Sequence, residues 1–189
     1  MVKALFFQMT QDEDRKGVIP RAIEQIFCEI RTAEMERSQS ESANLGDSED
    51  LTVRMSFFEI HNEKIFDLLK AAKMKVPLKL KEEGHEFHIP DLTQHLVTSE
   101  AEAIALLDQG RQTRSTGATS QNAHSSRSHA VLRLSLISQS RDENEEVTLR
   151  ERRISLVDLA GSESAGNSKD EVRRVEGVNI NKGLSVLGR

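Results

Sequence analysis

Apolar residues recur at helical spacing early in the chain. They stand at positions i, i+3, i+4 and i+7 of one amphipathic helix face: Ile23, Ile26, Phe27 and Ile30. Pro20 suits the first position of this helix, because the backbone N–H that proline lacks has no partner there. Cys28 lies inside the same apolar pattern, so we interpret it as a small core residue rather than a nucleophile. Residues 34–50 are rich in Ser, Glu and Asn, which predicts a flexible surface loop.

Alternation of apolar and polar residues predicts three long strands. From Leu51 to Phe57 every second side chain is apolar, which indicates that residues 51–61 form a strand with one buried face. Residues 130–137 alternate too, and residues 147–158 form the return strand after a charged hairpin. An antiparallel pair joined in this way brings the segment before its first strand and the segment after its second strand to one edge of the sheet.

Shorter elements are predicted between these strands. The apolar residues of 65–69 favour a short packed helix, and residues 71–98 favour short strands joined by turns. Lysines at a sheet edge discourage aggregation, which is one explanation for Lys73, Lys75, Lys79 and Lys81. His61 is assigned no ligand role, because lone histidines most often pack against the core.

A second helix is predicted to begin at a capping box. Ser99 can accept a hydrogen bond from the backbone N–H of Glu102, whose carboxylate reaches back toward the helix start. Leu107 belongs to the core face of this helix, and Gly110 is expected to interrupt it. We interpret Arg114, which follows, as a solvated arginine at the helix end.

Composition narrows the classes of protein that the chain can belong to. With 189 residues, 37% hydrophobic and 30% charged, we expect one medium-sized domain with a thin core. The net charge of −5 gives no general attraction to nucleic acid or to an acidic polymer. The single cysteine excludes an internal disulfide and suits a reducing compartment. No apolar run approaches the ~20 residues of a membrane span, so we expect an intracellular, soluble protein without a membrane partner.

Candidate chemistry begins in residues 154–163, Ile-Ser-Leu-Val-Asp-Leu-Ala-Gly-Ser-Glu. The apolar start predicts a buried central strand, and Asp158 stands where that strand leaves the sheet. A carboxylate there can hold magnesium through water, and Gly161 lets a backbone N–H approach a phosphate. The pair fits a nucleoside-triphosphate sensor. Taken alone, Asp-x-x-Gly is expected about once by chance in such a chain, and a strand that runs into an ordinary turn is the better explanation.

Two further motifs change that balance. Residues 122–129, Asn-Ala-His-Ser-Ser-Arg-Ser-His, contain the pattern Asn-x-x-Ser-Ser-Arg-Ser-His, whose chance occurrence is on the order of one in several hundred thousand. Residues 176–188 begin Glu-Gly and contain Asn-Lys-Gly-Leu. In this order the motifs resemble the kinesin motor domain: 119–129 its switch I, 158–163 its switch II, and 171–189 the start of the switch II helix. The third motif is most similar to the chromokinesin group.

The resemblance implies a fold and a function. The fold is α/β: part of a mixed, mainly parallel P-loop NTPase-like sheet flanked by helices. The function is a microtubule motor driven by ATP and magnesium in the cytoplasmic cytoskeleton, or in the spindle or nucleus if the chain is chromokinesin-like. The chain, 1–189, is expected to be a single incomplete motor domain, because the similarity starts after the family's phosphate loop and no Gly-Lys dipeptide occurs. The alternatives are a non-hydrolysing tubulin- or partner-binding fragment and an incomplete gene product.

The same resemblance implies site residues. The nucleotide-binding positions are Asn122, Ser125, Ser126, Ser128, Asp158 and Gly161, with Ser126 and Asp158 serving magnesium indirectly. Arg127 and Glu163 would form the ion pair that closes the site, a geometry in which guanidinium and carboxylate can meet bidentately. Microtubule contacts are expected at Lys169, Arg173, Arg174 and Lys182, and in the lobe formed by residues 71–98. Arg114 also resembles the arginine that closes in behind switch I, an alternative to the solvated helix end.

Overall fold

The computed structural model describes residues 16–39, 50–70, 76–84, 86–116, 127–141, 147–161 and 177–178. Two helices are present in these ranges: α1 (Val18–Gln39) and α2 (Glu100–Thr116). The strands are β1 (Asp50–His61), β2 (Lys64–Asp67), β3 (Lys81–Glu83), β4 (Glu86–His88), β5 (His95–Val97), β6 (Ser128–Arg141) and β7 (Val147–Asp158). Gly177 and Val178 are also helical, and the rest of the predicted switch II helix lies outside the described residues.

The strands form two sheets. The larger has the order β2-β1-β6-β7, with β5 also pairing with β1, and the smaller pairs β3 with β4. Strand β1 runs antiparallel to both β2 and β5, so this part of the sheet departs from the mainly parallel arrangement expected. The chain divides into two compact units: 1–55, 94–106 and 133–156 form the first, and 56–93, 107–132 and 157–189 the second.

In the first unit, α1 confirms the predicted amphipathic helix. Ile23 and Phe27 are buried, whereas Cys28 is exposed, so its assignment to the core was wrong. The helix continues to Gln39, which contradicts the predicted loop over residues 34–39, and the strong helix formers there explain the extension. Pro20 is the third helical residue, still within the first turn, where no N–H partner is needed.

The predicted capping box at the start of α2 is confirmed. The Glu102 N–H donates to Ser99 Oγ at 3.3 Å. The Glu102 carboxylate reaches back past Ser99 to Thr98. It accepts from the Thr98 N–H at 2.9 Å and from the Thr98 hydroxyl at 3.1 Å. Both ends of the cap are therefore satisfied, which fixes where α2 begins.

In the second unit, a tight hairpin joins β1 to β2. His61 pairs with Lys64, and the two residues between them, Asn62 and Glu63, have φ values of 53° and 60°. This is the left-handed geometry of a two-residue type I′ turn, which matches the twist of the strands it joins. The helix predicted for residues 65–69 was wrong, because the turn directs the chain back along β1 as a strand.

Asp67 ties the following segment to the sheet. Its Oδ1 accepts from the Leu69 and Lys70 N–H groups at 2.8 and 3.1 Å, and its Oδ2 accepts from the Thr93 N–H at 2.8 Å. The short strands joined by turns that were predicted for residues 71–98 are confirmed by β3, β4 and β5. A core cluster in the same unit contains Phe58, Ile89, Leu92 and Val131.

The second half of β1 is buried on both faces. Phe57 is 0% exposed on one side, and Ser56 and Phe58 are 4% exposed on the other. A strand with a single buried face was predicted, and that prediction fails beyond Met55. The cluster around Phe58 covers the face that the sequence pattern assigned to solvent.

Helix α2 continues through Gly110, which was expected to interrupt it. A Cβ atom at Gly110 would lie 2.2 Å from Phe57 Cδ1 and 2.8 Å from its Cε1. Glycine is therefore needed for the close approach of the helix to β1 rather than as a break. Leu107, one turn earlier, is 0% exposed, as the predicted core face requires.

Strand β7 is exposed over most of its length. Ile154 and Val157 are 38% and 39% exposed, so the prediction of a buried central strand was wrong. In the described sheet β7 is the last strand in the order, which gives it only one neighbour. Only Asp158, at its end, is buried.

Candidate functional site

Arg114 joins the start of β6 to the end of β7. Its Nη1 donates to Asp158 Oδ2 at 3.0 Å. Its Nη2 donates to the Ser128 carbonyl at 2.9 Å and lies 3.4 Å from the Ser128 hydroxyl. Arg114 is 7% exposed, so its interpretation as a solvated arginine was wrong. The two chain segments meet at one sheet edge, as the predicted strand order requires.

The electrostatics of this contact explain why an arginine stands there. The side chains of Arg114 and Asp158 are each 8% exposed, so both charges are largely removed from water. A buried ion is tolerated when an opposite charge and further hydrogen bonds compensate for the lost hydration. The planar guanidinium meets this requirement because it donates to the carboxylate and to Ser128 in different directions.

A second contact links the same two segments. The Ala160 N–H donates to His129 Nδ1 at 3.0 Å. His129 is the second residue of β6, and Ala160 is the second residue after β7. His129 was not among the predicted site residues, although its fixed place at the end of the predicted switch I motif was a signal.

The predicted site residues are only partly within the described ranges. Ser128 and Asp158 are buried and share Arg114, Arg127 is half-buried, and Gly161 is exposed. The remaining predicted residues lie outside the described residues: Asn122, Ser125, Ser126, Glu163, Lys169, Arg173, Arg174 and Lys182. The ion pair between Arg127 and Glu163 therefore stays a prediction.

Asp158 fits the role expected of it toward magnesium. Its carboxylate lies at the end of β7, and Mg²⁺ prefers carboxylate oxygens and retains several waters. Oδ2 accepts a hydrogen bond from Arg114, and the carboxylate as a whole is the group that would hold a magnesium-bound water. In the described ranges no three His, Cys, Asp or Glu side chains are grouped so that they could hold a metal ion directly.

Comparisons with known proteins agree on one family. A family model for the kinesin motor domain matches residues 6–189. The chain is 37% identical over 187 residues to centromere-associated protein E of Homo sapiens, 36% over 180 to chromosome-associated kinesin KIF4A of Homo sapiens, and 38% over 181 to kinesin-related protein 1 of Dictyostelium discoideum. These matches cover 97%, 94% and 93% of the chain.

The chain spans a small part of these relatives. It covers 6%, 13% and 8% of their respective lengths. A solved structure described as a fast kinesin matches with a TM-score of 0.73 and 31% identity over 94% of the chain, and the chain covers 47% of it. Among the described residues, no helix combines the length and apolar character that a membrane crossing needs.

Proposed function

The chain belongs to the kinesin motor-domain family, and on that premise we propose that it is the switch-bearing part of an ATP-driven microtubule motor. The observation that carries the proposal is the Arg114 contact with both Asp158 and Ser128. Arg114 thereby connects the end of the predicted switch I motif, at Ser128, with the start of the predicted switch II motif, at Asp158, which lies 44 residues after Arg114. A nucleotide sensor needs its two loops at one edge, where both can reach the same phosphate.

The proposed chemistry is positioning and charge stabilisation. Magnesium, when bound, would offset charge on the phosphates, and Asp158 and Ser126 would hold its waters. Asn122, Ser125 and Ser128 would line the nucleotide, and Gly161 would donate its N–H to the γ-phosphate. Arg127 and Glu163 would close the site and exclude water other than the attacking one.

The proposed partner is the microtubule, whose surface is acidic. Lys169, Arg173, Arg174 and Lys182 supply positive charge close to and within the predicted switch II helix. Lys79 and Lys81 are exposed in the lobe that the family resemblance assigns to the same surface. The corresponding location is the microtubule cytoskeleton, and a spindle or nuclear location would follow from a chromokinesin subfamily.

One observation favours a second candidate, a fragment that binds a partner without hydrolysing ATP. The 189 residues contain no Gly-Lys-[Ser/Thr] loop. Such a loop supplies a lysine, a metal-binding hydroxyl and several N–H donors, each contact being worth about 1.5–3 kcal/mol. Three lost contacts weaken nucleotide binding by at least ~5 kcal/mol, which is roughly several thousand-fold.

Phosphate release separates the two candidates. We expect purified 1–189 to release no phosphate from ATP, with or without microtubules. In the intact protein that contains this chain, we expect microtubule-stimulated turnover that Glu163→Ala abolishes while nucleotide binding persists. Glu36→Ala, at an exposed position on α1, is the matched control and should keep full turnover. If turnover survives Glu163→Ala, the ion pair of Arg127 and Glu163 does not close the site. If the intact wild type shows no turnover, the proposed motor function is wrong.

A further inference from the structure

We propose that His129 is a positioning residue for the loop after β7, acting through the backbone of Ala160. The proposal rests on the proposed function, because the affected group is the neighbouring Gly161 N–H, which is expected to donate to the γ-phosphate. The Ala160 N–H donates to His129 Nδ1 at 3.0 Å, and Ala160 itself is 4% exposed.

His129 projects from a fixed point on the sheet. It stands in β6 between Ser128 and Ala130, both of which are 0% exposed. The Ser128 carbonyl accepts from Arg114 at 2.9 Å, which holds the start of the strand. Because the backbone that carries His129 is close-packed and hydrogen-bonded, its side chain can hold the loop that it contacts in one position.

The loop after β7 is held at two places. Asp158 accepts from Arg114 at 3.0 Å, and Ala160, two residues later, donates to His129. Leu159 between them is 42% exposed, so packing does little to restrain it. Because the peptide group is planar, only the φ and ψ of Ala160 separate the N–H held by His129 from the N–H of Gly161. Losing the His129 contact would leave the Gly161 donor free to turn away from the phosphate.

The bond also defines what the side chain must provide. A backbone N–H can only donate, so Nδ1 must be the unprotonated nitrogen of a neutral imidazole. Asparagine places an acceptor, Oδ1, at the same number of bonds from Cβ as Nδ1. Glutamine places its acceptor, Oε1, one bond further from Cβ, which is the distance in bonds of Nε2 in histidine. His129→Asn and His129→Gln therefore form a matched pair of similar polarity.

Amide hydrogen exchange over 158–161 in the intact protein, without nucleotide, tests the contact directly. We expect His129→Gln to speed exchange of the Ala160 N–H about three- to ten-fold, the effect of losing one ordinary hydrogen bond. His129→Asn should stay within about two-fold of the wild type because it keeps the acceptor. The thermal midpoints of the two variants should agree, which separates positioning from loss of the fold.

Turnover tests the consequence of the contact. We expect His129→Gln to lower kcat for ATP roughly ten-fold through misplacement of the donor. Its affinity for ADP, which lacks the γ-phosphate, should not change, and His129→Asn should restore kcat. Unchanged exchange in His129→Gln, or equal loss in both variants, would overturn the proposal. If the wild type does not turn over ATP, the proposed function fails, and the exchange comparison still decides whether His129 holds Ala160.

Discussion

At the scale of single residues, the contact between Arg114 and Asp158 is an ion pair that is largely removed from water. Both side chains are 8% exposed, and each compensates the charge of the other. A buried pair adds little net stability over an apolar pair, but removing one partner strands the other charge in a poorly solvated site. The pair thus makes the junction between β6 and β7 sensitive to single substitutions.

Arg114→Leu should lower the free energy of unfolding by about 3–5 kcal/mol, because Asp158 would remain buried without its cation. The matched control is Arg111→Leu on the same helix. Arg111 pairs with Asp108 at 3.4 Å on the surface, so its loss should cost about 0–1 kcal/mol. Pulse proteolysis in urea at low protein concentration measures both, and equal losses would contradict the buried-pair account.

At the scale of elements, the distance between α2 and β1 depends on one glycine. Gly110 faces the ring of Phe57, and Leu69 Cδ2 would lie 3.3 Å from any Cβ placed there. Arg114 follows one helical turn later on the same face of α2. The close approach at Gly110 and the reach of Arg114 toward Asp158 therefore depend on the same helix placement.

Gly110→Ala should destabilise the protein by about 1–3 kcal/mol, even though alanine is the better helix former by about 1 kcal/mol. The new methyl group would overlap Phe57, so either the ring or the helix must move. Phe57→Leu should partly rescue Gly110→Ala, although it is destabilising alone. Additive effects in this double-mutant cycle, measured by urea unfolding, would rule out the overlap as the cause.

Strand β7 also carries a pH-dependent contact. Arg153 donates to Glu151 at 3.0 Å, and this hydrogen bond is the main cause that holds the pKa of Glu151 below its ordinary value of 4.5, against a smaller opposing effect of burial. A lowered folded-state pKa stabilises the fold above the unfolded pKa. The contribution is lost as the pH falls through the folded-state pKa.

As the pH falls below the ordinary pKa of 4.5, the wild type should therefore lose more stability than Glu151→Gln, which cannot ionise. Arg153→Gln should remove most of the same difference, because it deletes the main cause of the shift. Thermal melts across this range, with Glu151→Gln as the reference, measure the effect. Parallel curves for the wild type and Glu151→Gln would show that the contact contributes nothing.

At the scale of the whole molecule, apolar side chains at the surface limit how the chain behaves alone. Leu149 and Val147 of β7 are 65% and 50% exposed, and Ile154 and Val157 exceed a third. Exposed apolar residues on the last strand of a described sheet favour edge-to-edge association.

Purified 1–189 should consequently associate at micromolar concentration. Leu149→Lys should reduce the associated fraction, since a charge on the edge opposes strand pairing. Leu80→Lys, at a residue outside β7 that is 55% exposed, should reduce it much less. Sedimentation velocity distinguishes the variants, and a monodisperse wild-type monomer at this concentration would contradict the expectation.

The sequence alone determined the long elements and the order of the motifs. The helical spacing of Ile23 and Phe27 and the alternation along 130–137 depend only on neighbouring residues, so α1 and β6 could be placed. The return strand was predicted over 147–158, the range that β7 occupies. The family followed from motif order for the same reason, because specified residues at fixed spacing need no tertiary information.

Only the tertiary structure decided what each side chain meets. Arg114 was assigned to solvent because its partner Asp158 stands 44 residues away. Residues 65–69 were predicted to be helical because apolar runs of this length suit either state, and pairing of Ile65 with Ile60 settled the strand. The need for glycine at position 110 likewise came from the ring of Phe57, which leaves no room for a Cβ atom. The contacts of Arg114, Ile65 and Gly110 are made with residues distant in sequence, and the local pattern around each of them does not identify those partners.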